Sequence, residues 1–413
     1  MFLFRKTVVF VVLWQAVAVC AGTPEDLIFR NSFERCDNFT VLEGSIEWDG
    51  GGDGESWSDP LNWKGDVVPG DDDKVTIGDD GGITVIYDSS LGTTRIAAMD
   101  SCESLSVTGG ILEFDGPAWV RSNLELTGNG NIIANADLAV SGSFMQSSGS
   151  TLDGSGTVTV AGKYTWVSGT QQGSGETIAD GGIDITPGNH YLRERTLTIN
   201  GMSTWTGGFI NLYLGALIDN NDNFDIQTDA DMQWAGNPNS FLNNDGTLSK
   251  SFSGDGDSVT KIDANFVNNN AISVTSGELQ MGRNDGSGTS SGSFTVSAGS
   301  IIGISGNHNF TAASFTGAGG LRMVGSTGMT TIGGTYTLAG PLIANGGKVS
   351  FTIPITVSDD ITVTNGDLEF NAATTVNADV ELAGSGDLIA NAGVPVSGSF
   401  MQSSGSTLEG SGT

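Results

Sequence analysis

Residues 219–231 read DNNDNFDIQTDAD, with Asp219, Asn221 and Asn223 at alternate positions and Asp222 and Asp225 among them. Alternating oxygen donors open a calcium loop, because Ca²⁺ takes carboxylate and carbonyl oxygens in a loose shell. The match then breaks. The sixth position is Phe224, where the sharp turn needs glycine, and the twelfth is Ala230, where a bidentate glutamate should close the shell. A second acidic run, Asp71, Asp72 and Asp73 in GDDDKV, can hold a cation weakly or cap the first turn of the fold. No Gly-Gly-x-Gly-x-Asp repeat accompanies either run. Calcium is the one cofactor these patterns raise, and solvated turns are the simpler account of both.

The main basic cluster is HYLRER, with His190, Arg193, Glu194 and Arg195. It holds groups suited to proton transfer, yet a solvated loop with a local ion pair accounts for it. His308, in GNHNFT, is the only other histidine and has no sequence-near partner. Two isolated histidines support neither a zinc site nor a serine triad, and no catalytic residue is assigned. Of three cysteines, Cys20 falls in an expected leader, leaving Cys36 and Cys102. In an oxidising compartment these two can pair and pin the N-terminal segment to the main body, although two cysteines alone carry little pattern.

The leader is expected at residues 1–21: Arg5 and Lys6 precede an apolar stretch, and Val19-Cys20-Ala21 offers a small-residue cleavage site. The apolar run is shorter than the ~20 residues a membrane span needs. No other run is long enough to cross, so no transmembrane segment is expected after cleavage, and an extracellular or cell-surface location is. Losing Arg5 and Lys6 takes the formal net charge from −31 to −33. A chain this acidic repels phosphate backbones, which removes nucleic acid as a partner.

The elements that must position these groups are short. Glycine numbers 62 among 413 residues, and 38% of the chain is hydrophobic, enough to bury a core. Units such as LSVTG, LELTG, VTVAG, LTING and ITVTNG alternate apolar and polar residues and end in glycine, as a strand closed by a tight corner does. SGSFMQSSGSTLDGSG (residues 141–156) aligns with AGKYTWVSGTQQGSG (161–175) and SGSFTVSAGSIIGISG (291–306). The shift within the first pair is near twenty, which marks a solenoid too short in period for helical repeats. The expected fold is all-β: a right-handed parallel β-helix with two or three strands per ~20-residue coil, some fifteen coils in a rod of about 70 Å. Phe144, Tyr164, Phe294 and Phe400 should face inward, and Trp57 and Trp63 should cap the first coil.

A longer repeat overlies the short one. LSVTGGILEF at Leu105 matches ITVTNGDLEF at Ile361, and residues 141–157 recur at 397–413 with Asp153 replaced by Glu409. Every match lies 256 positions apart without a gap. The expected organisation is therefore a leader (1–21), an extension (22–54), a cap with the first coils (55–104), a β-helical block (105–360) and the start of a second copy (361–413). A full second copy would continue with VTVAGKYTW, so the chain is expected to be part of a longer product.

FLNNDGTLSKSF (241–252) and NFVNNNAISVTSGELQMG (265–282) resemble the right-handed β-helix regions of bacterial surface proteins, among them autotransporter passengers and filamentous-haemagglutinin-like adhesins. ESWSDPLNWKGDVVPGDDDKVTI (55–77) resembles the opening segment of such proteins and, more faintly, the eight-glycine extracellular module. The chain departs from two-partner secretion proteins in carrying NPNS at residues 237–240 where they carry Asn-Pro-Asn-Gly. The resemblance implies a secreted or cell-surface stalk or adhesin-like module meeting a polysaccharide or another cell-surface ligand. Parallel β-helices also host polysaccharide lyases and hydrolases, so a carbohydrate-active enzyme is the alternative.

Overall fold

A computed structural model describes Cys36, Phe39 and residues 41–236, 239–254, 258–325, 327–403 and 405–412; the expected leader and part of NPNS lie outside these residues. The fold is a parallel β-solenoid of about sixteen ~20-residue coils, 51% strand and 2% helix. Residues Phe33–Thr413 form one compact unit. Among the described residues no helix is long and apolar enough to cross a membrane.

Each regular coil has three short strands, so the solenoid has three faces. The first face begins at Thr84–Tyr87 and continues through Ser104–Val107, Leu124–Leu126 and Phe144–Gln146 to Thr335–Leu338. The second runs from Ile111–Phe114 through Asn131–Ala134 and Thr151–Asp153 to Phe400–Gln402. The third includes Asp73–Ile77, Ala118–Val120, Leu138–Val140 and Thr157–Val160, and ends at Thr407–Glu409. All of these pairings are parallel, which a solenoid permits because the rest of the coil serves as the crossover. Within strands such as Leu124–Leu126 and Tyr164–Trp166 the first and third residues are buried. That alternation follows from the two-residue side-chain period of a strand.

Inward rings stack coil on coil. Phe144 lies 4.7 Å from Tyr164 and Phe294 lies 4.5 Å from Phe315, the ring planes of each pair nearly parallel. Phe400 departs from the expectation: it is 41% exposed. Its register partner is Val380, one coil earlier, and among the described residues no strand pairs on its far side to cover it.

Phe400 also sits on the second face, whereas its sequence counterpart Phe144 sits on the first. The first-face register climbs from Leu105 to Tyr336, and the next strand there is Ile355–Val357, twelve coil steps above Leu105. Ile361, the counterpart of Leu105, opens the strand after that, paired with Leu342 on the second face. The 256-residue repeat thus spans twelve coils and one face, and its second copy is turned one face around the axis. Local geometry survives the turn. Asn135 Nδ2 donates to Glu113 Oε1 at 2.8 Å, and Asn391 Nδ2 donates to Glu369 Oε1 at 3.0 Å. Gly154 and its counterpart Gly410 both have positive φ, and a Cβ on either would stand 2.1 Å from the carbonyl oxygen of Ala134 or Ala390.

The first coil is covered. Ile46–Glu47 pairs with Asp73–Ile77 on the third face, and Ser56 bridges to Ile86 on the first. Trp57 and Trp63 are fully buried, with ring centroids 5.0 Å apart, and Trp63 Nε1 donates to Trp57 O. Asn62 Oδ1 accepts from the amides of Gly52 and Gly54, which folds the intervening loop onto the edge. At the second face, Arg95 N donates to Asp71 Oδ1, and Asp72 N donates to Arg95 O. Asp73 Oδ2 accepts from Gly70 N. Unpaired strand edges invite further pairing, and these contacts blunt this one. A disulfide joins Cys36 to Cys102 beside this cap.

Polar groups inside the coil are held by corner carbonyls. Lys250 is fully buried, with Nζ 2.7 Å from Asp229 Oδ1, 2.9 Å from Thr228 O and 2.8 Å from Phe252 O. On the third face Asn220 Nδ2 donates to Asn244 Oδ1 and Asn244 Nδ2 to Asn268 Oδ1, both at 2.7 Å, a ladder at 24-residue spacing. The chain elsewhere returns about every twenty residues, and the longer coils here carry FLNNDG and NFVNNN.

Three substitutions test this interior. Phe294→Asp, which buries an uncompensated charge, should cost several kcal/mol in denaturant unfolding. Lys250→Met should cost about 3–5 kcal/mol by stranding the Asp229 carboxylate, and adding Asp229→Asn should restore more than half of that. An additive double mutant would show that the two groups do not act as a pair.

Candidate functional site

The acidic run of residues 219–231 does not converge. Asp219 points outward on the third face and accepts from Asn243 Nδ2 at 2.8 Å. Burial raises its pKa; that hydrogen bond opposes the rise, and Asp245 and Glu176 add to it. Asp222 lies in the following corner. Asp225 is on the first face, accepting from Ser249 Oγ and Ser251 Oγ at 2.7 Å each. The corner between the two faces separates the carboxylates that the linear pattern set side by side. Among the described residues, no three His, Cys, Asp or Glu side chains gather as a metal site would require.

HYLRER is not a solvated loop with an ion pair. Arg195 is fully buried: Nε donates to Thr177 Oγ1 at 2.8 Å, and the terminal nitrogens reach the carbonyls of Gly154, Gln172, Gly156 and Glu176. Burial pushes its pKa down to about 10, so it stays charged at neutral pH as a strut across coil corners. His190 is buried between the carbonyls of Phe209 and Trp166. Arg193 lies over the rings of Tyr213 and Tyr191, at 4.8 and 5.5 Å. His308 stacks on Phe266 at 4.4 Å, and its Nε2 lies 2.8 Å from Ser305 O. Gly288 lies against it; a Cβ there would stand 2.9 Å from Nδ1.

A groove that the linear patterns missed opens where the second face turns into the third. The second-face strand Met232–Trp234 is followed by a third-face strand only at Phe241–Asn244. One coil on, Val259–Ile262 is followed almost at once by Asn265–Asn268. The next coil lengthens again, from Glu278–Met281 to Ser287–Thr289. A short corner between two long ones leaves a depression of about 490 Å³, with Asp263 in the short corner.

Side chains from the long corners close over it. Arg283 Nη1 donates to Asn239 Oδ1 at 2.7 Å, across 44 residues of sequence. Its guanidinium carbon stands 3.5 Å over the Trp234 ring, while Nη2 lies 2.8 Å from Asp285 Oδ1 and Nε lies 3.9 Å from Asp263 Oδ1. Asp231, Gln233, Lys261, Gln280, Asn284 and Ser305 add to the polar lining. Burial raises the pKa of Asp263, Arg283 opposes it, and Asp285 and Asp231 add to the rise. Beyond the groove Arg322 reaches Glu278 at 2.7 Å over Gly303, where a Cβ would stand 2.7 Å from Gln280 Cγ. The arrangement offers carboxylates, amides and one indole along successive coils, a surface suited to hydroxyl-rich ligands. The signal in the sequence was spacing: the gap between strand patterns stretches at NPNS and at GRNDGSG.

Comparison with protein-family models, curated proteins and solved structures finds no match for this chain.

His308 gives the site region a pH signature. Burial pushes its pKa down to about 4, against about 6.5 in an unfolded chain. Above pH 6.5 both states are neutral and nothing is lost; between pH 6.5 and 4 the unfolded chain takes up a proton that the fold refuses. The difference reaches about 2–3 kcal/mol near pH 4.5. His308→Phe should therefore lose less stability than the native chain between pH 7 and 4.5, whatever the substitution costs at pH 7. Parallel pH-dependent melting curves for the two proteins would count against a buried neutral imidazole.

Proposed function

We propose that this chain is a secreted or cell-surface β-solenoid module, a stalk of adhesin-like character that meets extracellular polysaccharide or another cell-surface ligand. The observation that carries this reading is the direction of the reactive side chains. His190, Arg195, Lys250 and His308 are buried and bonded to backbone carbonyls of the coils. Groups used as internal struts are not available to a substrate. Outward positions carry Thr, Ser, Asn and Asp hydrogen-bonded from coil to coil, as in Thr204 to Asp184 and Asn200 to Asp180. The Cys36–Cys102 disulfide and the strong acidity support an oxidising, extracellular setting. The alternative, a carbohydrate-active β-helix enzyme, is favoured by one observation: Asp263, its pKa raised by burial, shares a groove with Asp231.

Incubating the full, oxidised chain with insoluble polysaccharides separates the two. Adsorption without release of soluble sugar is the expected result. Release of reducing ends above a heat-denatured control would overturn it in favour of the enzyme. Failure to adsorb to any polysaccharide or to intact cells would remove the ligand-bearing role.

A further inference from the structure

We infer that the groove between the long corners is a binding site for an uncharged oligosaccharide chain lying along the solenoid axis, with Trp234, Asp263 and Gln280 as its contacts. This rests on the adhesin-like reading above and assigns its ligand class and its place on the surface.

Three features carry the assignment. The groove crosses coils instead of following one, with lining residues from Asp231 through Gln280 and Ser305 to Gly325. Successive strands stand ~4.8 Å apart, so the lined stretch is on the order of 15–20 Å long, which fits an extended chain better than a compact metabolite. Its polar groups are of the kinds that grip hydroxyls: carboxylates that accept, and amides that both donate and accept. The part of the Trp234 indole that lines the groove, away from the Arg283 guanidinium over its ring, supplies the apolar surface that the C–H face of a pyranose ring needs.

Charge disfavours the acidic sugars. The charged residues lining the groove are Asp231, Asp263 and Lys261, a balance of −1, within a chain of formal net charge −31. Arg283, the group shaped to receive a carboxylate, is already held by Asp285, Asn239 and the Trp234 ring. A uronate entering here would meet two carboxylates against the single ammonium of Lys261, with no free guanidinium to pair with.

Titration calorimetry tests the site with hexamers of glucose, mannose and N-acetylglucosamine as neutral probes and hexagalacturonate as the acidic one. The expected result is binding of at least one neutral hexamer, weakened at least tenfold in Trp234→Ala and again in Gln280→Ala. Far-UV spectra and melting temperatures establish that each variant is folded; Gln280 is an outward, partly exposed residue whose loss leaves the core intact. Two outcomes would overturn the inference while leaving the adhesin-like reading in place. One is polysaccharide adsorption that both variants retain in full; the other is hexagalacturonate binding as tight as any neutral hexamer. If the native chain neither binds a neutral hexamer nor adsorbs to any polysaccharide or cell, both fall together.

Discussion

Each strand inside the stack has its backbone bonds made by the coil before it and the coil after it. Val107 O accepts from Thr127 N, Leu126 O from Ser147 N, and Gln146 O from Val167 N, each one coil on. The inward residue of one coil must then fit directly on that of the next, as Phe144 does on Tyr164. Burying an apolar side chain contributes roughly 1.5–3 kcal/mol, but here that contribution needs a coil on both sides. Phe400, paired on one side only, shows the difference.

The same constraint explains the polar interior. A strand cannot accept an inserted residue without losing register, so variation in coil length is confined to corners. Corners leave carbonyls pointing inward, and those carbonyls are what Arg195 and Lys250 bind. The asparagine ladder adds bonds between side chains along the axis, each amide also donating to a corner carbonyl such as Thr247 O or Ala271 O. The ladder leaves Asn220 Oδ1, at its first rung, without a partner, while its amide donors tie three successive coils together and so hold the stacking register. Because all three faces demand the same alternation, a duplicated block can re-enter one face round and still fold.

The candidate groove is a consequence of corner length and nothing more elaborate. Two long corners enclose a short one, and Arg283 spans the gap to Asn239 and Trp234. The arginine satisfies its own charge there, which leaves the lining with two carboxylates, amides and the single ammonium of Lys261. Asp263 is disfavoured as an anion by burial, an effect that Arg283 opposes and that Asp285 and Asp231 reinforce.

By itself the sequence determined the parallel solenoid, its ~20-residue coil and the inward faces of Phe144, Tyr164 and Phe294. Those follow from a two-residue alternation closed by glycine corners, which is local and periodic. The second copy of the 256-residue block was equally plain as a string. Its turn by one face was not, because the face on which a strand falls depends on the summed length of every corner before it. The candidate site was hidden for the same reason. Asp219 and Asp225 are neighbours along the chain that the corner holding Asp222 sends to different faces, while Trp234, Asp263 and Arg283 lie on three successive coils and meet in space though they are more than a strand apart in sequence. The burial of Arg195, His190 and Lys250 was likewise decided by tertiary structure, since only stacked coils supply the carbonyls that let a charged or imidazole group leave water.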